Sequence, residues 1–187
     1  MTLQSFDALP EEALKEILAL TEAKKRLDLQ EQAQNKFMPF AHHVYENFIE
    51  GRHHRVIAEK LEAVARGELK RLIINMPPRH SKSEFASYLM PAWFLGRNPK
   101  LKIIQATHNT ELAVRFGRKV RDLIDDPAYR EIFPETNLKE DNKGAGKWGT
   151  DKGGEYFAAG VGAAVTGRGA DLFVIDDPHS EQDAMSD

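Results

Sequence analysis

The chain has 187 residues, no cysteine and a formal net charge of −3. That length fits one domain with a sizeable core, the lack of cysteine excludes disulfides and thiolate metal sites, and the charge leaves no broad basic surface for nucleic acid. No run approaches 18 apolar residues and no signal pattern opens the chain, so neither a membrane protein nor a secreted one is expected.

The first part of the chain is predicted to be helical. Residues 10–34 carry apolar side chains at helical spacing between charged ones, which predicts an amphipathic arm. A second helix, over residues 56–66, is expected to end at Gly67, because glycine readily adopts the left-handed conformation that closes many helices. We therefore expect an N-terminal helical arm over residues 1–55 and one core domain over residues 56–187.

Two adjacent histidine pairs lie in this first part, at His42–His43 and at His53–His54. Two histidines bind a metal from one helical face when they are four residues apart, and neither pair has that spacing. Surface or capping roles are therefore expected for these four side chains, and no metal site.

An apolar run at residues 72–76 predicts a strand, and the segment that follows it predicts an anion-binding loop. A strand that ends in a tight loop and then opens a helix directs several backbone N–H groups at one anion. In the P-loop pattern a lysine reaches the β- and γ-phosphates and the next hydroxyl residue binds Mg²⁺, and Lys82 and Ser83 hold those places. Both glycines of the pattern are replaced, the second by Ser81. The residues expected around the phosphates of a nucleoside triphosphate are Pro78, Arg79, His80, Ser81, Lys82 and Ser83. The alternative is an ordinary strand-to-helix turn with an exposed lysine.

Helix, strand and helix patterns follow this loop. A helix is expected over residues 84–95, kinked or ended early by Pro91, then a strand over residues 101–107 and a helix over residues 110–125. Strands that alternate with helices are typical of a doubly wound α/β sheet. Residues 107–109 would lie where ligands bind in such sheets, although capping of the next helix is the favoured role.

The region before the last strand is polar at first and then rich in glycine. Residues 137–154 predict an exposed loop or an irregular hairpin, and residues 155–159 predict a strand. A glycine-rich segment then carries Arg168 between two glycines. Its guanidinium could reach a γ-phosphate in its own subunit or in a neighbour, or it could be a solvated loop arginine.

An apolar strand, Leu172–Ile175, ends in two carboxylates, as a Walker B strand does. Asp176 would hold the Mg²⁺ that accompanies the nucleotide, and Asp177 would orient or deprotonate the attacking water. The alternative is that one aspartate caps a turn before Pro178. Two adjacent acids after an apolar strand, in a chain that also has the loop at residues 76–83, favour the nucleotide site.

Together these segments resemble the large terminase subunit of tailed bacteriophages, the ATPase and nuclease that packages viral DNA. The resemblance covers about residues 37–187. It rests on the segment 72–83, on Thr107 with its following helix, on Tyr129–Pro134 and on the segment 166–178.

The resemblance implies an α/β fold of the P-loop NTPase class, of the additional-strand type. This fold is a three-layer sandwich around a mainly parallel central sheet, here preceded by N-terminal helices. Lys82 and Ser83 would contact phosphate and Mg²⁺, and Asp176 would be the second metal ligand. Asp177 would be catalytic, with Arg79 sensing the γ-phosphate and Arg168 acting as a finger in trans.

The implied function is hydrolysis of ATP with Mg²⁺, which powers movement of viral DNA into a procapsid. The expected partners are double-stranded DNA, the small terminase subunit, the portal protein and further copies in a homo-oligomeric ring. The expected location is the cytoplasm of the bacterial host, and transiently the procapsid portal, with no membrane. The chain ends ten residues after Asp177, so we expect a core truncated after Walker B, without the nuclease domain of the family. The alternatives are a helicase-like DNA-dependent ATPase and a non-catalytic nucleotide-binding or assembly fragment.

Overall fold

The computed structural model describes residues 10–163, 165 and 167–179. Within them the chain forms an α/β fold. Its helices are α1 (Glu11–Asn35), α2 (Phe37–Val44), α3 (Arg52–Ala65), a π-helix (Glu84–Leu89), α4 (Met90–Arg97), α5 (Thr110–Ile124) and α6 (Pro127–Ile132). Its strands are β1 (Lys102–Thr107), β2 (Leu138–Lys143), β3 (Lys147–Thr150), β4 (Glu155–Gly160) and β5 (Leu172–Ile175).

The five strands form one mixed sheet in the order β2-β3-β4-β1-β5. The central strand β1 pairs in parallel with β4 and with β5, whereas β2 with β3 and β3 with β4 are antiparallel. The expectation of a P-loop sandwich with a mainly parallel sheet is therefore wrong. The cause is a hairpin, β2–β3, that adds two antiparallel strands beside β4.

The strand expected over residues 72–76 is also absent from the sheet. These residues belong to no ladder, although their side chains alternate between half-buried and exposed. Leu72, Ile74 and Met76 contact the hydrophobic core, while Ile73 is 85% exposed. The apolar run thus has the side-chain period of a strand without the backbone pairing that would make it one.

The hairpin is held against the sheet by Trp148. Its indole is fully buried, lies parallel to the ring of Tyr156 at a centroid distance of 4.8 Å, and donates from Nε1 to the carbonyl oxygen of Gly117 at 3.0 Å. An indole buried with its N–H satisfied stabilises the pairing of β3 with β4. Of the two alternatives for residues 137–154, the irregular hairpin is the one the structure shows, with a register shift between β2 and β3.

Capping groups explain where several helices begin and end. The Asn109 side chain accepts from Leu112 N–H at 2.8 Å at the start of α5, which confirms the predicted capping role. Gly67 has a φ of 74° and ends the turn after α3, also as predicted. The helix before it is longer than expected because it begins at Arg52, where the side chain of His54 caps the backbone N–H of Gly51.

The helix after the loop runs through Pro91 without ending. Residues 84–89 are π-helical, and the N–H of Met90 bonds to the carbonyl of Phe85, five residues earlier. Pro91 lies in the first turn of α4, where a missing N–H costs little. Of the two alternatives predicted at Pro91, a kink or an early end, the early end is wrong, because a change of helical winding accommodates the proline.

An aromatic cluster joins the N-terminal helices to the rest of the core. Phe37 of α2 makes edge contacts with Phe85 and with Trp93, at centroid distances of 5.4 and 5.5 Å. The Trp93 indole donates to the carbonyl of Ala33 in α1 at 2.9 Å. Only the last turns of α1 are held in this way, and the greater part of that helix is exposed.

The outer edge of the sheet leaves apolar side chains in solvent. Phe173 and Ile175 of β5 are 54% and 58% exposed. Both are in register with β1, opposite Ile104 and Ala106, so they continue an apolar face that is buried further inside the sheet. Among the described residues, no helix is both long and apolar enough to cross a membrane.

Candidate phosphate-binding site

The loop at residues 76–83 has two residues in the left-handed region. Arg79 has a φ of 63° and Ser81 a φ of 61°. After Ser81 the chain turns into helix, and the N–H of Phe85 bonds to the Ser81 carbonyl at 2.9 Å. Ser81 occupies the second glycine position of the P-loop pattern, and it adopts the conformation for which glycine is the ordinary choice. The replacement of glycine by Ser81 therefore introduces backbone strain at this position.

That strain predicts the effect of substitution at Ser81. A left-handed conformation costs a non-glycine residue about 1–2 kcal/mol, while glycine loses about 0.5–1 kcal/mol through the unfolded chain. We expect Ser81→Gly to leave the melting temperature unchanged or to raise it by up to about 4 °C, and Ser81→Val to lower it, since a β-branched residue fits this conformation worst.

Thermal unfolding without nucleotide checks this expectation. Ser83→Gly is the matched control, because Ser83 has a helical φ of −69° and glycine there should destabilise. If Ser81→Gly and Ser83→Gly lowered the melting temperature equally, the backbone conformation of Ser81 would not be destabilising the protein.

Two carboxylates lie at the carboxyl end of β5, in the positions predicted from the sequence. Asp176 is 7% exposed and its N–H bonds to the Ala106 carbonyl at 2.9 Å. Asp177 has an exposed side chain and a φ of 44°, and its carbonyl accepts from His108 N–H at 3.1 Å. Backbone hydrogen bonds to β1 and to the residue that follows it therefore fix the backbone of both aspartates.

Lys82 joins the loop to this acid pair. Its Nζ donates to Asp177 Oδ1 at 2.5 Å and lies 3.6 Å from Asp176 Oδ1. The hydrogen bond to Asp177 raises the pKa of Lys82, and the two nearby negative charges add to the effect. The ammonium thus stays charged at neutral pH. The predicted phosphate-binding lysine and both predicted Walker B acids are in one cluster.

Ser87 also belongs to this site, although it was not predicted from the sequence. Its side chain is fully buried, and its hydroxyl donates to Asp176 Oδ2 at 2.8 Å. One oxygen of Asp176 is thereby held by the helix, and the other faces Lys82. A serine within an apolar helix does not by itself indicate such a role. The one indication in the sequence is its spacing, because a residue four positions after Ser83 can lie on the same helical face as Ser83.

The oxygen ligands at this site suit Mg²⁺ better than a metal that needs an all-protein cage. Among the described residues no group of three or more histidine, aspartate or glutamate side chains is placed to hold a metal. Mg²⁺ is usually bound by one or two carboxylates and substrate phosphates. Asp176, which is buried and oriented by Ser87, fits that need, and Ser83, the second predicted ligand, lies directly before the helix.

The other predicted site residues are not in this cluster. Arg79 and His80 are exposed, and His80 Nδ1 donates to the Pro78 carbonyl at 2.8 Å within the loop. The guanidinium of Arg168 lies over the ring of Phe157 at 4.1 Å from its centroid. In the part of the chain that the structure describes, Arg168 makes no ion pair with Asp176 or Asp177.

Comparison with models of known protein families, with curated proteins and with solved structures finds no match for this chain. The resemblance to terminases therefore rests on the sequence motifs alone. The spatial cluster of Lys82, Asp176 and Asp177 is an independent observation.

Proposed function

We propose that this chain binds ATP with Mg²⁺ at the loop 76–83 and hydrolyses it, as the motor portion of a phage large terminase. One observation carries the proposal of a nucleotide site. Lys82, 94 and 95 residues before Asp176 and Asp177 in the chain, lies within 3.6 Å of one carboxylate and 2.5 Å of the other. A lysine at the start of a helix that faces two carboxylates at a strand end is the arrangement that a phosphate and its cation require.

The chain's own side chains would act by exchanging partners. In the nucleotide-free state the single positive charge of Lys82 is shared between the two carboxylates, and on binding its ammonium would turn to the β- and γ-phosphates. Asp176, held by Ser87, would then bind Mg²⁺ together with Ser83, and the bound cation would neutralise the phosphate oxygens. Asp177, released from Lys82, would be free to accept a hydrogen bond from the attacking water.

The motor role extends this proposal to other molecules. Arg168 would reach the nucleotide of a neighbouring subunit in a ring, and hydrolysis would drive movement of double-stranded DNA at the portal. The Arg168 guanidinium lies over Phe157 in a cation–π contact. Such a contact on the surface is worth only about 0.5–1 kcal/mol, so it would be readily given up for a contact with a second molecule. The resemblance of the segment 166–178 to the terminase pattern supports the same assignment.

Complementation tests the shared site directly. Arg168→Ala and Lys82→Ala should each abolish hydrolysis alone. An equal mixture of the two should recover part of it, since some interfaces then combine an intact loop with an intact finger. An arginine finger contributes about 10³–10⁵ in rate, so recovery is measurable by phosphate release.

Arg97→Ala is the matched control for Arg168, because the Arg97 guanidinium also lies over an aromatic ring, that of Trp93, at 4.7 Å. It should leave hydrolysis unchanged. Full activity of Arg168→Ala alone would remove the finger role. Binding of Mg²⁺-ATP without turnover at any protein concentration would favour the non-catalytic module.

A further inference from the structure

A hydrogen-bonded pair of histidines lies directly against the proposed phosphate loop. The N–H of Gly51 donates to His54 Nδ1 at 2.8 Å, so the neutral His54 ring carries its proton on Nε2. That Nε2 lies 3.0 Å from His53 Nε2, which must therefore accept and leave the His53 proton on Nδ1. The two tautomers follow from one backbone donor.

The pair contacts the loop on both sides. The ring of His54 stacks on Phe85, in the first turn of the helix after the loop, at 4.9 Å and 27°. The ring of His53 meets the ring of His80, in the loop itself, edge-on at 5.7 Å. Movement of either imidazole would therefore be felt between His80 and Phe85, the segment that contains Lys82.

This arrangement has no place for a further proton. Protonation of His54 at Nδ1 would set N–H against the N–H of Gly51, and protonation of His53 at Nε2 would set it against the N–H of His54. Either event replaces an acceptor with a donor in a partly buried hydrogen bond and breaks the pair. His54 itself is 5% exposed, between the rings of Phe48 and Phe85.

We infer that the neutral His53–His54 pair positions the phosphate-binding loop, and that its protonation loosens the loop and weakens nucleotide binding. The inference rests on the proposed function, as the regulation of that same site. His53 and His54 are positioning residues in this scheme and need not touch the nucleotide.

The surrounding charges set the direction of the pH dependence. Burial lowers the pKa of His54 below its usual 6.5, the rings of His53 and His80 lower it further, and the carboxylate of Glu50 opposes them. Glu50 is itself engaged by His42 and Arg55. A folded-state pKa below the unfolded one means that stability is complete above about pH 6.5 and is lost as pH falls towards the folded pKa.

The test uses a variant in which residue 54 keeps the helix cap but cannot titrate. His54 is the third residue of α3 and caps the N–H before that helix, a place where glutamine is favoured, so His54→Gln should preserve the cap. We expect the affinity of the wild type for Mg²⁺-ATP to fall at least fivefold between pH 7.5 and 5.5. In His54→Gln the fall should be less than twofold. His43→Gln, a change at a histidine that pairs with Glu131 on α6, is the control and should follow the wild type.

A second measurement needs no nucleotide. Long-range ¹H–¹⁵N spectra should show the Nε2–H tautomer for His54 and the Nδ1–H tautomer for His53. The ring signals of Phe85 and the amide signal of Ser81 should shift on acidification in the wild type but not in His54→Gln. The opposite tautomers, or equal pH dependence of these signals in both proteins, would overturn the inference. Absence of ATP binding together with the expected spectra would instead reject the proposed function and leave the positioning role standing.

Discussion

Replacement of Lys82 by alanine should lower ATP hydrolysis by about 10²–10³-fold or more, because in the proposed site it removes the charge that would stabilise the transferring phosphate. The same change leaves Asp176 and Asp177 without their cation, 3.6 and 2.5 Å away in the present structure. Some loss of stability in the nucleotide-free protein is therefore expected too, and activity alone would not separate the two effects.

Lys82→Arg separates them. A guanidinium keeps the positive charge beside the two carboxylates, so the melting temperature of the nucleotide-free variant should stay near that of the wild type. Its planar fork cannot reproduce the compact ammonium at the phosphates, and hydrolysis should still fall at least about tenfold. Lys100→Ala, a change at an exposed lysine, should alter neither quantity. Wild-type hydrolysis by Lys82→Ala would exclude the loop as the nucleotide site.

Replacement of Asp176 by asparagine should abolish function without lowering the stability of the nucleotide-free protein. Asparagine keeps the shape and can still accept from Ser87, but it lacks the charge that Mg²⁺ requires. Hydrolysis, and the rise in melting temperature caused by Mg²⁺-ATP, should both be lost. The nucleotide-free variant should be no less stable than the wild type, because two adjacent carboxylates share a single lysine and one repulsion is removed.

Thermal unfolding with and without Mg²⁺-ATP, together with phosphate release, measures both effects. Ser87→Ala is the companion variant, since it leaves the carboxylate in place and removes the 2.8 Å bond that orients it. It should weaken the response to Mg²⁺-ATP while keeping part of it. A less stable, fully active Asp176→Asn would show that Asp176 is a structural residue.

Much of the core of the fold was predictable because it follows from local patterns. The strands β1, β4 and β5 are short apolar runs between turn signals, and α5 begins at an asparagine that caps it. The error at residues 72–76 shows the limit of such patterns. Alternation of apolar residues predicts a half-buried extended segment. Whether its backbone pairs in a sheet depends on a neighbouring strand, which the local pattern does not identify.

The mixed sheet was missed for a similar reason. The sequence of residues 137–154 does not by itself indicate that Trp148 stacks on Tyr156 and places the hairpin beside β4. The Lys82–Asp176–Asp177 cluster was predicted because each residue ends or begins a recognisable element. Ser87 and the histidine pair were not predicted, since the role of Ser87 arises from a contact with a residue 89 positions away and that of the histidine pair from contacts with residues 27 and 31 positions away.

The π-helical segment at Glu84–Leu89 also fixes an angular relation along one continuous helix. A π turn contains about one residue more than an α turn, so the residues after it are rotated by roughly 100° from where uniform α winding would put them. The π-helical segment therefore sets the angle between the face that buries Trp93 in the aromatic cluster and the face that presents Ser87 to Asp176. Removal of one residue from that segment would therefore allow either the burial of Trp93 or the hydrogen bond from Ser87 to Asp176 to be kept, but not both.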